Sequence, residues 1–400
     1  MIIMKGNSFK KLLLTIPPLM FLQFSIVYAQ SDYNYVFENG KEGYNCFRIP
    51  AIIKSSNGDL LAFAEARKKD CDDFGDIDLV MKRSSNKGKT WSSLEIIVDN
   101  GVNKTGDPAP VLDIYNPEYK NGRIILLYNN STGSETDVRL GKNVRETFYI
   151  SSPDNGITWS EPVNITTQVH KPYAPDYKPA YNFKEDWRTV ANTPGHAFQF
   201  TRGKYKKRIY VAANHSVGPK NDKNDFNNYR SHGFYSDDHG QSWKLTPDIE
   251  IPAGNESIAT ELSDGALLQN IRYQNKNEKH RILAKSTTGG ESWDTAYVSK
   301  ELPEPICQGS MISLKYKKNF YVLFSNPRSQ TSRTEMAITT SDDDGASWKY
   351  SMLVDKGNSA YSDLAQINKL TIGIIYERGN KGGIVFKTYK LKEILQSKTE

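Results

Sequence analysis

The chain is poor in the residues on which several common protein chemistries depend. Its 400 residues include three cysteines and six histidines. Cys46, Cys71 and Cys307 cannot all pair with one another, and none has zinc-ligand spacing. A Cys46–Cys71 bridge suits an oxidising compartment, and buried free thiols suit the sequence equally well. The histidines are scattered, with no His-Glu-x-x-His motif and no i, i+4 pair, so no catalytic metal and no cofactor are expected. Helical periodicity is nearly absent, apart from Leu391 to Ser397. No basic stripe with interleaved aromatics occurs, which argues against nucleic acid as a partner. No apolar run beyond the N-terminal segment is long enough to span a membrane. No Pro/Gly/Ser-rich linker or shift in composition divides the chain, so one domain is expected over residues 33–400.

The first residues have the pattern of an export signal. Lys5, Lys10 and Lys11 form a basic region, and Leu12 to Ile26 form an apolar stretch broken by Pro17 and Pro18. Val27-Tyr28-Ala29 offers a small-residue cleavage site. Residues 1–29 are therefore expected to direct export, with a periplasmic, surface or released destination. Their removal takes away three lysines and lowers the formal charge from +6 to +3.

What the chain has in abundance is one phrase. Five of its six tryptophans close the pattern Ser-x-Asp-x-Gly-x-Ser/Thr-Trp, at Ser84–Trp91, Ser152–Trp159, Ser236–Trp243, Ser286–Trp293 and Ser341–Trp348. Asn86 and Thr288 replace the Asp in two copies. Each copy follows a short apolar run: Ile77 to Met81, Phe148 to Ile150, Phe234 to Tyr235, Ile282 to Ala284, Met336 to Ile338. Such a phrase reads as a hairpin turn. Asp and Ser bond local backbone N–H groups, Gly supplies a positive φ, and the Trp packs back onto the turn. Further β-rich runs are Leu60 to Ala64, Ile124 to Tyr128, Ile209 to Ala213, Leu267 to Tyr273, Phe320 to Ser325 and Ile372 to Tyr376. Many short strands in units of unequal length predict an all-β six-bladed propeller of four-stranded antiparallel blades, one of them without the phrase. The stretch Lys171 to Asp186 reads as an insertion.

Phe47-Arg48-Ile49-Pro50 and Leu61-Ala62-Phe63-Ala64-Glu65-Ala66-Arg67, combined with the five phrases, resemble the sialidase (exo-α-neuraminidase) family of Asp-box propellers. The resemblance runs over nearly the whole chain after residue 29. The boxes alone are less specific, because non-enzymatic propellers carry them too. The resemblance implies a substrate with a carboxylate on its anomeric carbon, held by three arginines whose planar forks suit a planar anion. By motif these are Arg48, Arg272 and Arg333, with Arg328 as a rival for the third place. It implies a tyrosine nucleophile, Tyr361 in Ala360-Tyr361-Ser362-Asp363-Leu364, because a carboxylate nucleophile would be repelled by the substrate. A phenol needs a base; Glu256 matches, and its rival Glu261 reads as structural, at a strand start. Glu377 would buttress Arg48. The acid/base would be Asp73 in the loop after Arg67, with Asp72 second. Arg67, and Asp107 in Gly106-Asp107-Pro108, would meet the ring hydroxyls. Trp187 would serve either an N-acetyl pocket or the core. The expected function is an exported exo-α-sialidase acting on sialylated glycans with retention. The alternatives are a non-catalytic glycan- or protein-binding propeller and a trans-sialidase.

Overall fold

In the computed structural model, residues 1–2, 33–218 and 225–397 are described, so the expected export signal lies almost wholly outside the described residues. The apolar runs lie in strands. Leu267–Tyr273 coincides with its expected run, and Leu60–Arg67, Arg123–Ser131, Ile209–Val217, Asn319–Pro327 and Thr371–Arg378 extend theirs. The fold is all-β. Among the described residues the longest helix is Leu391–Gln396, at the one helical pattern in the sequence.

The strands pair as successive antiparallel meanders. Cys46–Lys54, Leu60–Arg67, Ile77–Ser84 and Glu95–Val98 form the first. Lys104–Asp113, Arg123–Ser131, Arg145–Ser152 and Val163–Asn164 form the next. Trp187–Asn192, Ile209–Val217, Tyr229–Ser236 and Lys244–Leu245 follow. Gly254–Glu261, Leu267–Tyr273, His280–Ser286 and Thr295–Pro303 come after them. The long strand Tyr350–Asn368 serves twice. Its first half pairs with Thr334–Ser341, completing a meander with Ser310–Tyr316 and Asn319–Pro327. Its second half starts another, with Thr371–Arg378 and Gly383–Lys390. The outer strand there is Tyr35–Glu38, from the start of the described fold. No turn joins that strand to Gly383–Lys390, so this meander has no place for a sixth phrase.

The phrases are the turns between third and fourth strands. In the second copy Gly156 N–H donates to Ser152 Oγ at 2.6 Å, and Thr158 N–H donates to Asp154 Oδ1 at 2.9 Å. The same bonds recur at 2.6 and 2.9 Å around Ser236 and Asp238. In the fourth copy the Thr288 hydroxyl accepts from Ser292 N–H at 2.8 Å, so a hydroxyl suffices where the charge is missing. The box glycines have φ of 81 to 96°, open to glycine at no steric cost. They also press on the preceding meander: a Cβ would stand 2.0 Å from Phe386 at Gly88 and 2.6 Å from Leu268 at Gly345. The tryptophans differ from the expectation of simple turn closure. Trp91 meets Phe386 and Trp159 meets Phe63, edge to face, and Trp243 lies 6.5 Å from Tyr149. Each of these partners belongs to the preceding meander, and for Trp91 that is the last one; Trp243 and Trp348 also meet Phe234 and Phe324 of their own meanders. The boxes therefore seal meander against meander.

Inside, the first strands pack on one another, and a buried carboxylate ties them. Asp363 Oδ2 accepts from Ile52 N–H at 2.8 Å and His196 N–H at 3.1 Å. Oδ1 takes Ser310 Oγ–H at 2.6 Å and contacts His196 Nδ1 at 2.7 Å. Burial alone would lower the pKa of His196, but the Asp363 carboxylate outweighs it and the net direction is up. Every one of these partners can donate, so only an acceptor satisfies them. Asp363→Asn turns an amide N–H₂ toward donors and is expected to destabilise the fold by about 2–4 kcal/mol in urea unfolding. The partly exposed Asp342→Asn is expected to stay within about 0.5 kcal/mol of wild type.

Candidate active site

Four of the residues singled out from the sequence lie where first strands break register. Shifts fall between Arg48 and Ala51, Gly106 and Ala109, Gly254 and Ser257, and Ser359 and Ser362. These intervals hold or adjoin Arg48, Asp107, Glu256 and Tyr361. A bulge re-aims a side chain out of the pleat. Two of the bulges have a sequence cause: Pro50 and Pro108 have no N–H for the ladder, and Ile49 and Asp107 before them take φ of 57° and 55°.

The four segments converge on a cavity of about 240 Å³ lined by Arg48, Asp73, Asp107, Glu256, Arg272, Arg333 and Tyr361, among others. The Tyr361 hydroxyl donates to Glu256 Oε1 at 2.5 Å and accepts from Arg272 Nη1 at 3.0 Å. Arg272 Nη1 also binds Glu256 Oε2 at 2.5 Å. The guanidinium carbons of Arg48 and Arg333 stand 5.1 and 5.7 Å from the Tyr361 ring. Burial and the Glu256 charge raise the phenol's pKa well above its ordinary value, against the three arginines. The phenol is thus held in its protonated form, hydrogen-bonded to Glu256. Glu377 receives Arg48 Nε at 3.2 Å and Nη2 at 3.3 Å, and also accepts from Ile49 N–H at 2.8 Å. Arg333 Nη2 donates to Ile306 O at 3.1 Å.

Asp73 sits across the cavity on an exposed loop. Its carboxylate bridges Arg67 at 2.8 Å and Arg48 at 3.2 Å, with its side chain still 71% exposed. The part of its hydration that the neighbouring groups displace would raise its pKa, but Arg67, Arg48 and Lys104 hold it down at about 2. Arg67 is buried and fixed by Glu65 at 2.6 Å. Burial would push the Glu65 carboxyl up, yet Lys104 and Arg67 bring it below the ordinary range. Glu65 and Lys104 escaped the sequence reading. Glu65 lies two residues before Arg67 on one strand, hence on the same face, and that spacing was the available signal.

The rivals fall away from the cavity. Arg328 lines a separate cleft with Pro303 and Glu335. Glu261 ends its strand rather than starting it, and accepts from Thr201 and Arg202. Asp72 is exposed, and its backbone N–H bonds Asp70. Trp187 is core: it stacks on buried His215 with centroids 3.5 Å apart. His215, His232 and Asp248 are scattered in sequence but offer ligand atoms within 4.8 Å of one another. None of the three lines the cavity. Cys46 and Cys71 form a disulfide, and Cys307 is a buried thiol.

A family profile described as a BNR repeat-like domain matches residues 58–375. The chain belongs to this family. It is similar to the sialidase of Micromonospora viridifaciens, 29% identical over 88% of this chain and 53% of that one. It is 27% identical to the sialidase of Bacteroides fragilis, over 89% and 64% of the two chains. It is 28% identical to the exo-alpha-sialidase of Aspergillus fumigatus, over 84% and 79%. The chain thus spans between half and two thirds of the length of the two bacterial relatives. Among solved structures it resembles the Hadza microbial sialidase Hz136, with a TM-score of 0.75 and 27% identity over 89% of this chain and 68% of that one. The intramolecular trans-sialidase from Ruminococcus gnavus shares the fold, with a TM-score of 0.71 at 16% identity over 92% and 98%.

Asp107 gives the cavity a pH signature. Burial raises its carboxyl to about 6, Glu65 and Glu256 add to the rise, and Lys104 and Arg145 oppose it. Its folded value lies above the unfolded one. Its contribution to stability is therefore full below pH of about 4 and is lost as pH rises through about 6. Asp107→Asn cannot titrate. Urea unfolding at pH 4, 5.5 and 7 is expected to show the variant gaining on wild type as pH rises, by about 1.4 kcal/mol per unit of raised pKa.

Proposed function

We propose that the chain is an exo-α-sialidase that releases terminal sialic acid from glycoconjugates through a tyrosyl intermediate with net retention. The observation that carries this reading is the hydrogen bond from Tyr361 to Glu256 beneath three guanidinium groups. A glycan-binding propeller would need the arginines but would have no use for a phenol bonded to a partly buried base. The meanders are read as a six-bladed propeller over residues 33–400. The packing of Trp91 on Phe386, first meander on last, supports that closure. Residues 1–29 are read as an export signal, and the disulfide suits that destination.

In this reading the substrate carboxylate lies among Arg48, Arg272 and Arg333, which offer paired donors to a planar anion. The anion displaces Asp73 from Arg48, and ring hydroxyls meet Arg67 and Asp107. Relieved of one cation and covered by substrate, the Asp73 carboxyl moves up from about 2 and takes a proton. Tyr361 Oη then attacks the anomeric carbon and its proton passes to Glu256. The bond to the leaving oxygen breaks, and Asp73 protonates that oxygen. In the second half, Asp73 deprotonates a water that attacks the anomeric carbon. The bond to Tyr361 breaks, and the phenolate recovers its proton from Glu256. Two displacements give retention. The phenol is neutral until attack, so the anionic substrate meets no charged nucleophile.

The test is fluorophore release from an aryl α-glycoside of N-acetylneuraminic acid by the purified chain. Wild type is expected to release it, and Tyr361→Phe to lose about a hundredfold or more in kcat/KM. Glu256→Gln is expected to lose about 10²–10⁴-fold. No release by folded wild type would contradict the reading.

A further inference from the structure

Asp73 lies in the loop 68–76, between Leu60–Arg67 and Ile77–Ser84, and most of that loop is exposed. Little apolar burial anchors it; Phe74 is 36% exposed. Its base is closed by Lys68 N–H to Asp76 O at 3.1 Å, and Asn45 Nδ2 holds Lys69 O at 2.5 Å. Nearer the tip, four links hold it. They are the Asp73 ion pairs with Arg67 and Arg48, the bond from Arg67 Nη1 to Cys71 O at 2.5 Å, and the Cys46–Cys71 disulfide. Three of the four use guanidinium groups that the reaction reassigns. Arg48 must turn to the substrate carboxylate, Arg67 to a ring hydroxyl, and Asp73 must accept a proton. At the moment when Asp73 has to be in place, its polar tethers are weakest. The covalent link is the one that does not exchange. Cys46 is buried two residues before Arg48 and pairs in register with Arg67, and Cys71 is two residues before Asp73. Two residues span at most about 7 Å, so the bridge keeps the acid within reach of the clamp arginine.

We propose that the Cys46–Cys71 disulfide is a positioning device for the acid/base Asp73, holding it over the leaving oxygen once substrate has taken its arginines. The inference rests on the sialidase reading. It predicts a defect that depends on the leaving group. A 4-nitrophenolate departs without a proton, whereas a sugar alkoxide needs one in the transition state. Steady-state kinetics should be run on the full chain and on Cys46→Ala/Cys71→Ala, with 4-nitrophenyl and sialyllactose substrates. The ratio of the two kcat/KM values does not depend on the fraction of enzyme that is folded, so partial unfolding of the variant cannot mimic the effect.

The variant is expected to lose about tenfold or more on sialyllactose, a part of the roughly 10²–10⁴-fold that a general acid supplies, and less than about threefold on the aryl substrate. Cys46→Ser/Cys71→Ser is expected to behave alike. Dithiothreitol should reproduce the split in wild type, reversibly on reoxidation, and leave the Ala variant unaffected. Equal losses on both substrates, or an unchanged ratio after confirmed reduction, would overturn the inference alone. No release from either substrate by untreated wild type would overturn the sialidase reading and this inference with it.

Discussion

Three guanidinium groups gathered round one phenol repel one another, and much of the site answers that repulsion. Each arginine near the reacting centre is held by a group that the fold has already placed. Glu377 holds Arg48 and is itself fixed by Ile49 N–H. Glu256 holds Arg272, and Glu65 holds Arg67. Arg333 leans on a backbone carbonyl, and it has no carboxylate partner among the described residues. The carboxylates neutralise the cluster enough to assemble it without filling the cavity. The remaining charge is Asp73, which bridges Arg48 and Arg67 from an exposed loop. In the proposed reaction Arg48 binds the substrate anion and releases Asp73 in one event. A carboxylate nucleophile here would pair with the clamp and repel the substrate, which is the physical case for a phenol.

Holding such a cluster requires a scaffold that does not yield. It is secured at two radii. On the outside, the box turns lock a glycine and a tryptophan against the preceding meander. On the inside, Asp363 gathers donors from Ile52, His196 and Ser310, which come from segments far apart in sequence. The strand that carries Asp363 also carries Tyr361. Tyr361, the proposed nucleophile, is therefore placed by the same segment that ties the centre together.

The outer strands and the boxes were legible in the sequence because they follow plain rules: apolar alternation, a fixed turn pattern, one tryptophan per turn. The first strands were less legible. Lys104–Asp113, Trp187–Asn192 and Gly254–Glu261 break the alternation with Pro108, Asn192 and Glu256, because they are buried along almost their whole length rather than on one face. Their bulges could be read only in part, from Pro50 and Pro108. Motif resemblance named Arg48, Arg272, Arg333, Tyr361, Glu256 and Glu377, and the structure brings them together. It did not reveal Glu65 or Lys104, whose roles depend on burial and on pairing across strands. Nor could it choose between Asp73 and Asp72, or between the bridged and free states of Cys46 and Cys71. Those choices turn on the path of one exposed loop, and local composition says little about that.

The central claim is that the reaction passes through a bond between Tyr361 Oη and the anomeric carbon. It is tested most directly with a sialic acid bearing fluorine at the anomeric carbon and at its neighbour. The first fluoride is a good leaving group, and the second slows the hydrolysis that follows. Peptide mass spectrometry after brief incubation should find one fluorosialyl group on the peptide containing Tyr361, and none on Tyr361→Phe. An adduct on Glu256 or Asp73, or full turnover of ordinary substrate with no adduct at any time, would contradict the account.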